Sequence, residues 1–313
     1  MGTECILCNS MNTVISAQID TRELASLYHE RAGTDARRFF NAAVICLYVC
    51  NDCGLKFYWP QAIGDGKFYD ELQQYSGYYL QEKPEFREAA KFISSADNVL
   101  EIGCGEGLFA NSIQYNSYTG LEFSEDAIRK AKQQGLNVLN ESLQQHASTH
   151  EAQYDVVCYF QVLEHVSHPG SFIRDSLKCL KQGGKLLIAV PSEDSFIKDV
   201  VNFYLNMPPH HASRWTDRTL TKIAELYNLE LMQLYHEPLH AIHKQFYLKT
   251  KLNKQLSALV GKKYKAVDTG VFNKLIYGTA TLSSFALKGL IDSKNIIGQS
   301  VLGVYKKKLI DIF

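Results

Sequence analysis

The sequence has no surplus of charge of either sign. Its 33 basic side chains are matched by 33 acidic ones in 313 residues. Broad electrostatic binding to nucleic acid needs an excess of Lys and Arg, so no nucleic-acid partner is expected. The chain also lacks any run of the ~18 consecutive apolar residues that a membrane-spanning helix requires. The opening MGTECILCNS has neither a basic start nor a long apolar stretch, so no secretory signal is read there. No internal repeat and no low-complexity tract occurs. The histidines and carboxylates show no H-x-x-x-H or clustered acidic spacing, which leaves a catalytic metal without support from sequence. What remains is a folded cytoplasmic chain, long enough for one large domain and a smaller one.

Eight cysteines are present, in two sets. Cys5, Cys8, Cys50 and Cys53 form two C-x-x-C pairs, and the second continues as CNDCGLKFYWP. Tetrahedral zinc takes four soft ligands, and each C-x-x-C turn delivers two. Reduced pairs in a chain without a signal point to a structural zinc site rather than to disulfides. The long gap between the pairs departs from compact ribbon spacing and contains a helix predicted over Thr21 to Arg31. Residues 1–65 are therefore read as a zinc-binding module. Cys46, Cys104, Cys158 and Cys179 lie singly, mostly in apolar segments, as core residues do.

From about residue 97, short apolar runs alternate with amphipathic stretches. VLEI precedes a predicted helix over LFANSIQY. SYTGLE precedes SEDAIRKAKQQ, with Ser124 as N-cap and acids in the first turn. LNVLN, YDVVCYF, SFIRDSLKCL and KLLIAV follow, then TDRTLTKIAELYN, with Thr216 as N-cap, and LELMQLY. This rhythm implies βαβ units and a parallel sheet covered on both faces, an α/β fold. Residues 236–299 break the rhythm. They are read as a helical lid or insertion, and their basic, apolar-spaced KTKLNKQLSALVGKKYK is a candidate for peripheral contact with the inner face of a membrane. Residues 300–313 hold a last strand, expected at the sheet edge beside LELMQLY, and a tail.

The glycines of VLEIGCGEGLFA identify a ligand. The dinucleotide fingerprint is G-x-G-x-x-G, whereas here Gly103, Gly105 and Gly107 are spaced G-x-G-x-G, and Leu108 stands where the third glycine belongs. A glycine loop after a strand lets a ligand approach the backbone closely. Glu101, two residues ahead, suits a positively charged amino group. Glu122, about twenty residues on, can accept both hydroxyls of a ribose. The ligand should then have a ribose, a cationic part and no phosphate, a description that S-adenosylmethionine meets.

Here the sequence resembles the class I S-adenosylmethionine-dependent methyltransferases, over roughly residues 97 to 235. The resemblance implies a doubly wound, Rossmann-like sheet of seven strands, the last antiparallel and inserted beside the sixth, with the core spanning residues 66–235. It places Glu101, Gly103, Cys104, Gly105 and Gly107 along the methionine part of the cofactor and Glu122 on the ribose. Phe123 falls near the adenine, as do Ser142 and Leu143, with Glu141 as the neighbouring register. FQVLEHVSHP is similar to the LEH signature of ubiquinone-type and sugar-modifying members and places Gln161 beside the cofactor. The N-terminal cysteine pairs and MPPHHASRWT resemble bacterial enzymes associated with sugar and polysaccharide synthesis.

Methyl transfer to a hydroxyl needs alignment and a general base, for which histidine is suited near neutral pH. His165 follows the fourth strand of the core, and His210 and His211 lie in the loop after the fifth, on the rim where α/β sheets bind ligands. These three are the catalytic candidates. Arg214 and Trp215 are candidates for a sugar or phosphate contact. Tyr78 or Tyr79, in QQYSGYYLQEKPEF, is a candidate contact for the cofactor's carboxylate end. The expected reaction is methylation of a sugar hydroxyl in a nucleotide sugar, lipid-linked glycan or polysaccharide. C-methylation of a deoxysugar, RNA methylation and a non-catalytic cofactor-binding scaffold are the alternatives.

Overall fold

A computed structural model describes residues 2–73, 83–293 and 295–309. Tyr78 and Tyr79 lie outside the described residues. The N-terminal part holds β1 (Thr13–Asp20), α1 (Thr21–Ala32), β2 (Val44–Cys50), β3 (Lys56–Trp59) and α2 (Gly66–Gln73). Next come α3 (Pro84–Ala90), β4 (Asn98–Ile102), β5 (Ser117–Leu121), α4 (Glu125–Gln133), β6 (Val138–Leu139), α5 (Leu143–Ala147) and β7 (Tyr154–Phe160). The chain continues through α6 (Pro169–Cys179), β8 (Leu180–Pro191), β9 (Ser213–Arg214), α7 (Asp217–Leu226) and β10 (Leu229–Pro238). It closes with α8 (Lys244–Leu259), α9 (Val271–Leu287) and β11 (Ile297–Lys307).

The larger sheet has seven strands in the order β10-β11-β8-β7-β4-β5-β6. Strands β4 to β8 pair in parallel, and β11 runs antiparallel to both neighbours. This is the doubly wound, mostly parallel arrangement expected. One expectation is corrected: β11 is not an edge strand but lies between β10 and β8, and β10 takes the edge. The reason is burial, since the residues of VLGVY in β11 are buried whereas β10 is mostly half-exposed.

The central strands read as near-continuous apolar runs because both faces are covered. Leu100, Ile102, Val157, Tyr159, Leu186 and Ile188 point to one face, against Ile173 of α6 and Leu220 and Ile223 of α7. Val99, Val156, Cys158, Phe160 and Leu187 point to the other, against Ala89 of α3 and Ile128 and Ala131 of α4. Each such aliphatic or aromatic side chain stabilises the fold by about 1.5–3 kcal/mol. Ser124 and Thr216 cap α4 and α7 as expected, accepting from the N–H of Ala127 and Thr219. The helix expected over LFANSIQY is reduced to one 3-10 turn, Ala110–Ser112. There the Ser112 hydroxyl donates to the Phe109 carbonyl at 2.7 Å, competing with continued helical pairing.

The smaller sheet, β1-β2-β3-β9, is antiparallel. Its last strand comes from the HHASRW segment, far along the chain, with Ser213 opposite Phe57 and Arg214 opposite Lys56. Trp215 then bridges to Ser192 at the end of β8. Cys5, Cys50, Cys53, Leu55 and Phe57 share one apolar cluster with Trp215 and the core strands. The N-terminal part is thus joined to the main sheet through residues 213–215. Helices α8 and α9 pack on each other, and Phe246 and Tyr247 of α8 pack on the Phe196–Val200 segment. No helix among the described residues is long and apolar enough to cross a membrane.

Candidate functional site

The glycine loop follows β4, Glu122 follows β5 and Gln161 follows β7, so all three lie at the carboxyl ends of adjacent parallel strands. Gly103, Gly105 and Gly107 all adopt positive φ, of 69°, 54° and 83°. The three differ in their surroundings. A Cβ at Gly103 would lie 2.6 Å from Val162 Cγ2, and one at Gly107 would lie 2.1 Å from Leu136 Cδ1. A Cβ at Gly105 would meet nothing within 4 Å. The outer two glycines therefore serve packing, and the middle one faces open space.

Two carboxylates frame that space. Glu122 accepts the Gly105 N–H at 2.9 Å, and its other oxygen accepts from Phe123 and Ser124 at 2.7 and 2.9 Å. It holds the loop against the end of β5. Glu101, in β4, is buried and accepts the Tyr118 hydroxyl at 2.6 Å. Burial pushes its pKa up to about 8. A buried acid of this kind ionises when a cation docks beside it. Phe123 is 69% exposed, standing out from the strand end. Ser142 caps α5 in a capping box with Gln145, and Leu143 is buried in the core. Gln161, at a φ of 58°, donates to Ser300 Oγ at 3.2 Å and lies 3.4 Å from Glu85 Oε1. Cys104 is buried, its thiol 3.7 Å from the Gly105 carbonyl.

The three histidines meet although they are far apart in sequence. His165 ends the 3-10 turn Leu163–His165, just after Val162 against the glycine loop. Its ring centre is 4.7 Å from that of His210 and 4.8 Å from that of His211, which stack on each other at 4.6 Å. Each Nδ1 is engaged by an oxygen. His165 Nδ1 donates to the His210 carbonyl at 2.6 Å, His210 Nδ1 to the Leu205 carbonyl at 2.7 Å, and His211 Nδ1 to Asn206 Oδ1 at 3.0 Å. Carbonyl oxygens only accept, so the proton of each neutral ring sits on Nδ1 and the lone pair on Nε2. Burial pushes His165 down to about 4 and also lowers His210 and His211. All three are neutral near pH 7.

Residues that sequence reasoning missed complete this cluster. The Tyr69 hydroxyl donates to the His210 carbonyl at 3.2 Å and lies 3.2 Å from His165 Nδ1. Glu164 is buried, with Oε1 3.7 Å from His165 Nε2 and Oε2 without a hydrogen-bond partner among the described residues. Nothing local in the sequence marks Tyr69 or Asn206, whereas Glu164 stands inside the LEH motif. Arg214 and Trp215 are both buried, as loop-packing residues are. Arg214 is buried, donates to the Asn206 carbonyl at 3.2 Å and lies 3.6 Å from Glu193, which also pairs with Lys56 at 3.0 Å. Trp215 is fully buried and donates to Ser213 Oγ.

At the opposite end of the smaller sheet, Cys5, Cys8, Cys50 and Cys53 bring their sulfurs within 4.8 Å of one another. Cys5 and Cys53, and Cys8 and Cys50, are 3.6 Å apart. Four sulfurs at the usual Zn–S distance of about 2.3 Å from a tetrahedral ion lie about 3.8 Å apart. The set therefore fits a zinc-type ion, and the Cys53 N–H points at Cys50 Sγ at 3.5 Å.

Residues 70–234 match the family described as "Methyltransferase domain". A ubiquinone biosynthesis O-methyltransferase of Hydrogenovibrio crunogenus is 34% identical over 107 residues, 31% of this chain and 44% of that one. Its counterpart in Citrobacter koseri is 30% identical over 148 residues, 40% of this chain and 61% of that one. The chain thus spans about half the length of these curated relatives. A solved SAM-dependent methyltransferase from Archaeoglobus fulgidus is 18% identical with a TM-score of 0.48, covering 78% of this chain and 100% of that one. The matched segment is more than half of the chain, which belongs to the methyltransferase-domain family, in its class I, S-adenosylmethionine-dependent branch.

Proposed function

We propose that this chain methylates an acceptor hydroxyl, with a sugar in a nucleotide sugar, lipid-linked glycan or polysaccharide as the acceptor. The observation that carries the reading is the arrangement at the strand ends: Gly105, where a Cβ would meet nothing within 4 Å, tied to Glu122 and near Glu101, with a histidine cluster that begins three residues beyond Val162. S-adenosylmethionine supplies an electrophilic methyl group on a sulfonium when bound. Gly105 leaves room for it, Glu101 answers its amino group and Glu122 its ribose. Transfer of that methyl group to the acceptor oxygen would leave S-adenosylhomocysteine, and the chain's part is to align the two and receive the hydroxyl proton. The hydroxyl proton leaves through the histidine cluster, whose neutral rings can accept it. Titration calorimetry tests the cofactor part: S-adenosylhomocysteine should bind and NADH should not, and the reverse result would overturn the reading.

The cysteine cluster we assign to structural zinc, which ties the two ends of the N-terminal segment together. The α8–α9 hairpin we assign to peripheral contact with an anionic membrane. The pattern of α9 supports this: its packed face carries Asn273, Ile276, Ala280 and Ser284, while Val271, Phe272, Leu275, Leu282 and Phe285 are exposed. Lys274 on α9 is exposed, as are Lys263 and Lys265 in the segment before it, and basic residues combined with exposed apolar ones suit acidic headgroups. Such contact would serve a lipid-linked acceptor. Co-sedimentation with vesicles containing phosphatidylglycerol should retain the protein and lose the Phe272→Glu/Phe285→Glu variant; equal retention of both would refute the assignment.

A further inference from the structure

We propose that His165, His210 and His211 form a binding site for a divalent transition-metal ion of the zinc type, with an acceptor oxygen as its remaining ligand. The inference rests on the methyltransferase reading for the acceptor, but its metal part stands on the histidine geometry alone. One ring nitrogen from each histidine can be chosen so that all three lie within 4.8 Å of one another. The orientation of the rings is fixed from behind: each Nδ1 donates to an oxygen, of His210, Leu205 and Asn206. Metal-bound histidines are held in the same way, one ring nitrogen donating to an oxygen while the other is left to the ion. Three neutral imidazoles are borderline nitrogen donors, which suit zinc and its neighbours rather than magnesium or calcium. Three protein ligands with an open position is the composition of a catalytic zinc site.

A second observation points to a cation. Glu164 is 1% exposed, its Oε1 is 3.7 Å from His165 Nε2, and its Oε2 has no hydrogen-bond partner among the described residues. A buried carboxyl group with an unpartnered oxygen is costly, and a cation at the histidines would stabilise its ionised form. The cation whose charge reaches Glu164 is Lys83, which forms no salt bridge with it among the described residues, and Arg214 is committed to Glu193 and the Asn206 carbonyl. The cluster is not sealed, because the His165 side chain keeps 21% exposure. With an ion bound, the lone pairs of the three rings are committed to it, so this arrangement replaces the imidazole base of the proposed reaction: the ion would hold the hydroxyl oxygen and loosen its proton, which would leave to water.

The test is metal stoichiometry on the full chain, by elemental analysis and by titration with zinc chloride, with cobalt(II) as a spectroscopic probe. Wild type should take up two equivalents, one at the cysteines with a cobalt–thiolate charge-transfer band and one without it. His165→Asn and His211→Asn should lose only the second, weakening it at least about 100-fold, while the S-adenosylhomocysteine Kd stays within about twofold of wild type. Asn206→Leu, which removes only the partner of His211 Nδ1, should weaken the second site by about 10- to 100-fold. Uptake confined to the cysteines, or a second equivalent that persists in the histidine variants, would overturn the proposal. A second site present without any S-adenosylhomocysteine binding would instead overturn the methyltransferase reading and leave the metal site standing.

Discussion

Gly105→Ala should separate folding from cofactor binding. The new Cβ would meet no protein atom within 4 Å, so packing is not disturbed. The cost to the fold is the left-handed backbone, at a φ of 54°, which an L side chain tolerates at about 1–2 kcal/mol. For a domain of this size that lowers Tm by roughly 2–8 °C. The loss of binding should be larger in proportion, because the methyl group occupies the space the cofactor needs. A fall of at least about tenfold in S-adenosylhomocysteine affinity, or about 1.4 kcal/mol, is expected, and Gly105→Arg should abolish binding. Gly107→Ala is the contrasting control. Its Cβ would lie 2.1 Å from Leu136 Cδ1 at a φ of 83°, so strain and overpacking together cost roughly 2–5 kcal/mol of stability. Thermal unfolding and titration calorimetry on the three variants give both quantities. Unchanged affinity in Gly105→Ala and Gly105→Arg would remove the loop from the site and refute the reasoning.

Glu122→Ala should weaken S-adenosylhomocysteine by about 1.5–3 kcal/mol through loss of charge-assisted ribose bonds, and should also loosen the loop, whose Gly105 N–H it accepts; calorimetry showing an unchanged Kd would count against the ribose assignment. Glu101 has its pKa raised to about 8, so in the free protein it favours the fold at low pH and this contribution is lost as pH rises toward 8. Docking of the cofactor's ammonium needs the ionised form, so affinity should climb by up to about tenfold per pH unit below pH 8, then level off, and Glu101→Gln should flatten that slope. A pH-independent wild type would contradict it. Replacing Cys50 and Cys53 together by Ser should release the thiolate-bound zinc and lower Tm, read by elemental analysis and thermal unfolding; a metal-free wild type that is fully folded would exclude the structural zinc.

The features legible in the sequence are those encoded within one short segment. The strand VLEI, the G-x-G-x-G loop and Glu122 lie within about twenty residues, and their roles follow from backbone conformation and charge. The two C-x-x-C turns were legible for the same reason, since each carries half of a tetrahedron. The helix after the loop was misread because apolar periodicity does not register a serine hydroxyl that ties off a turn. The place of β11 inside the sheet followed from the resemblance and not from periodicity, which says nothing of strand order. Pairing of β9 with β3 joins Phe57 to Ser213 and could not be read from either segment alone. The same holds for the histidine cluster. His165 and the His210-His211 pair have no metal-binding spacing, and only the fold brings them together around Tyr69 and Glu164. For Trp215 the sequence leaves a sugar contact and loop packing both open, and only the fold shows it buried in the core cluster.

The most direct measurement is transfer of labelled methyl groups from S-adenosylmethionine into separated cell fractions of nucleotide sugars, lipid-linked glycans, polysaccharide, RNA and protein, with Gly105→Arg protein as the control. Label entering a sugar-containing fraction with the wild type alone is the result expected. Label in RNA or protein instead, or equal label with Gly105→Arg, would contradict the account.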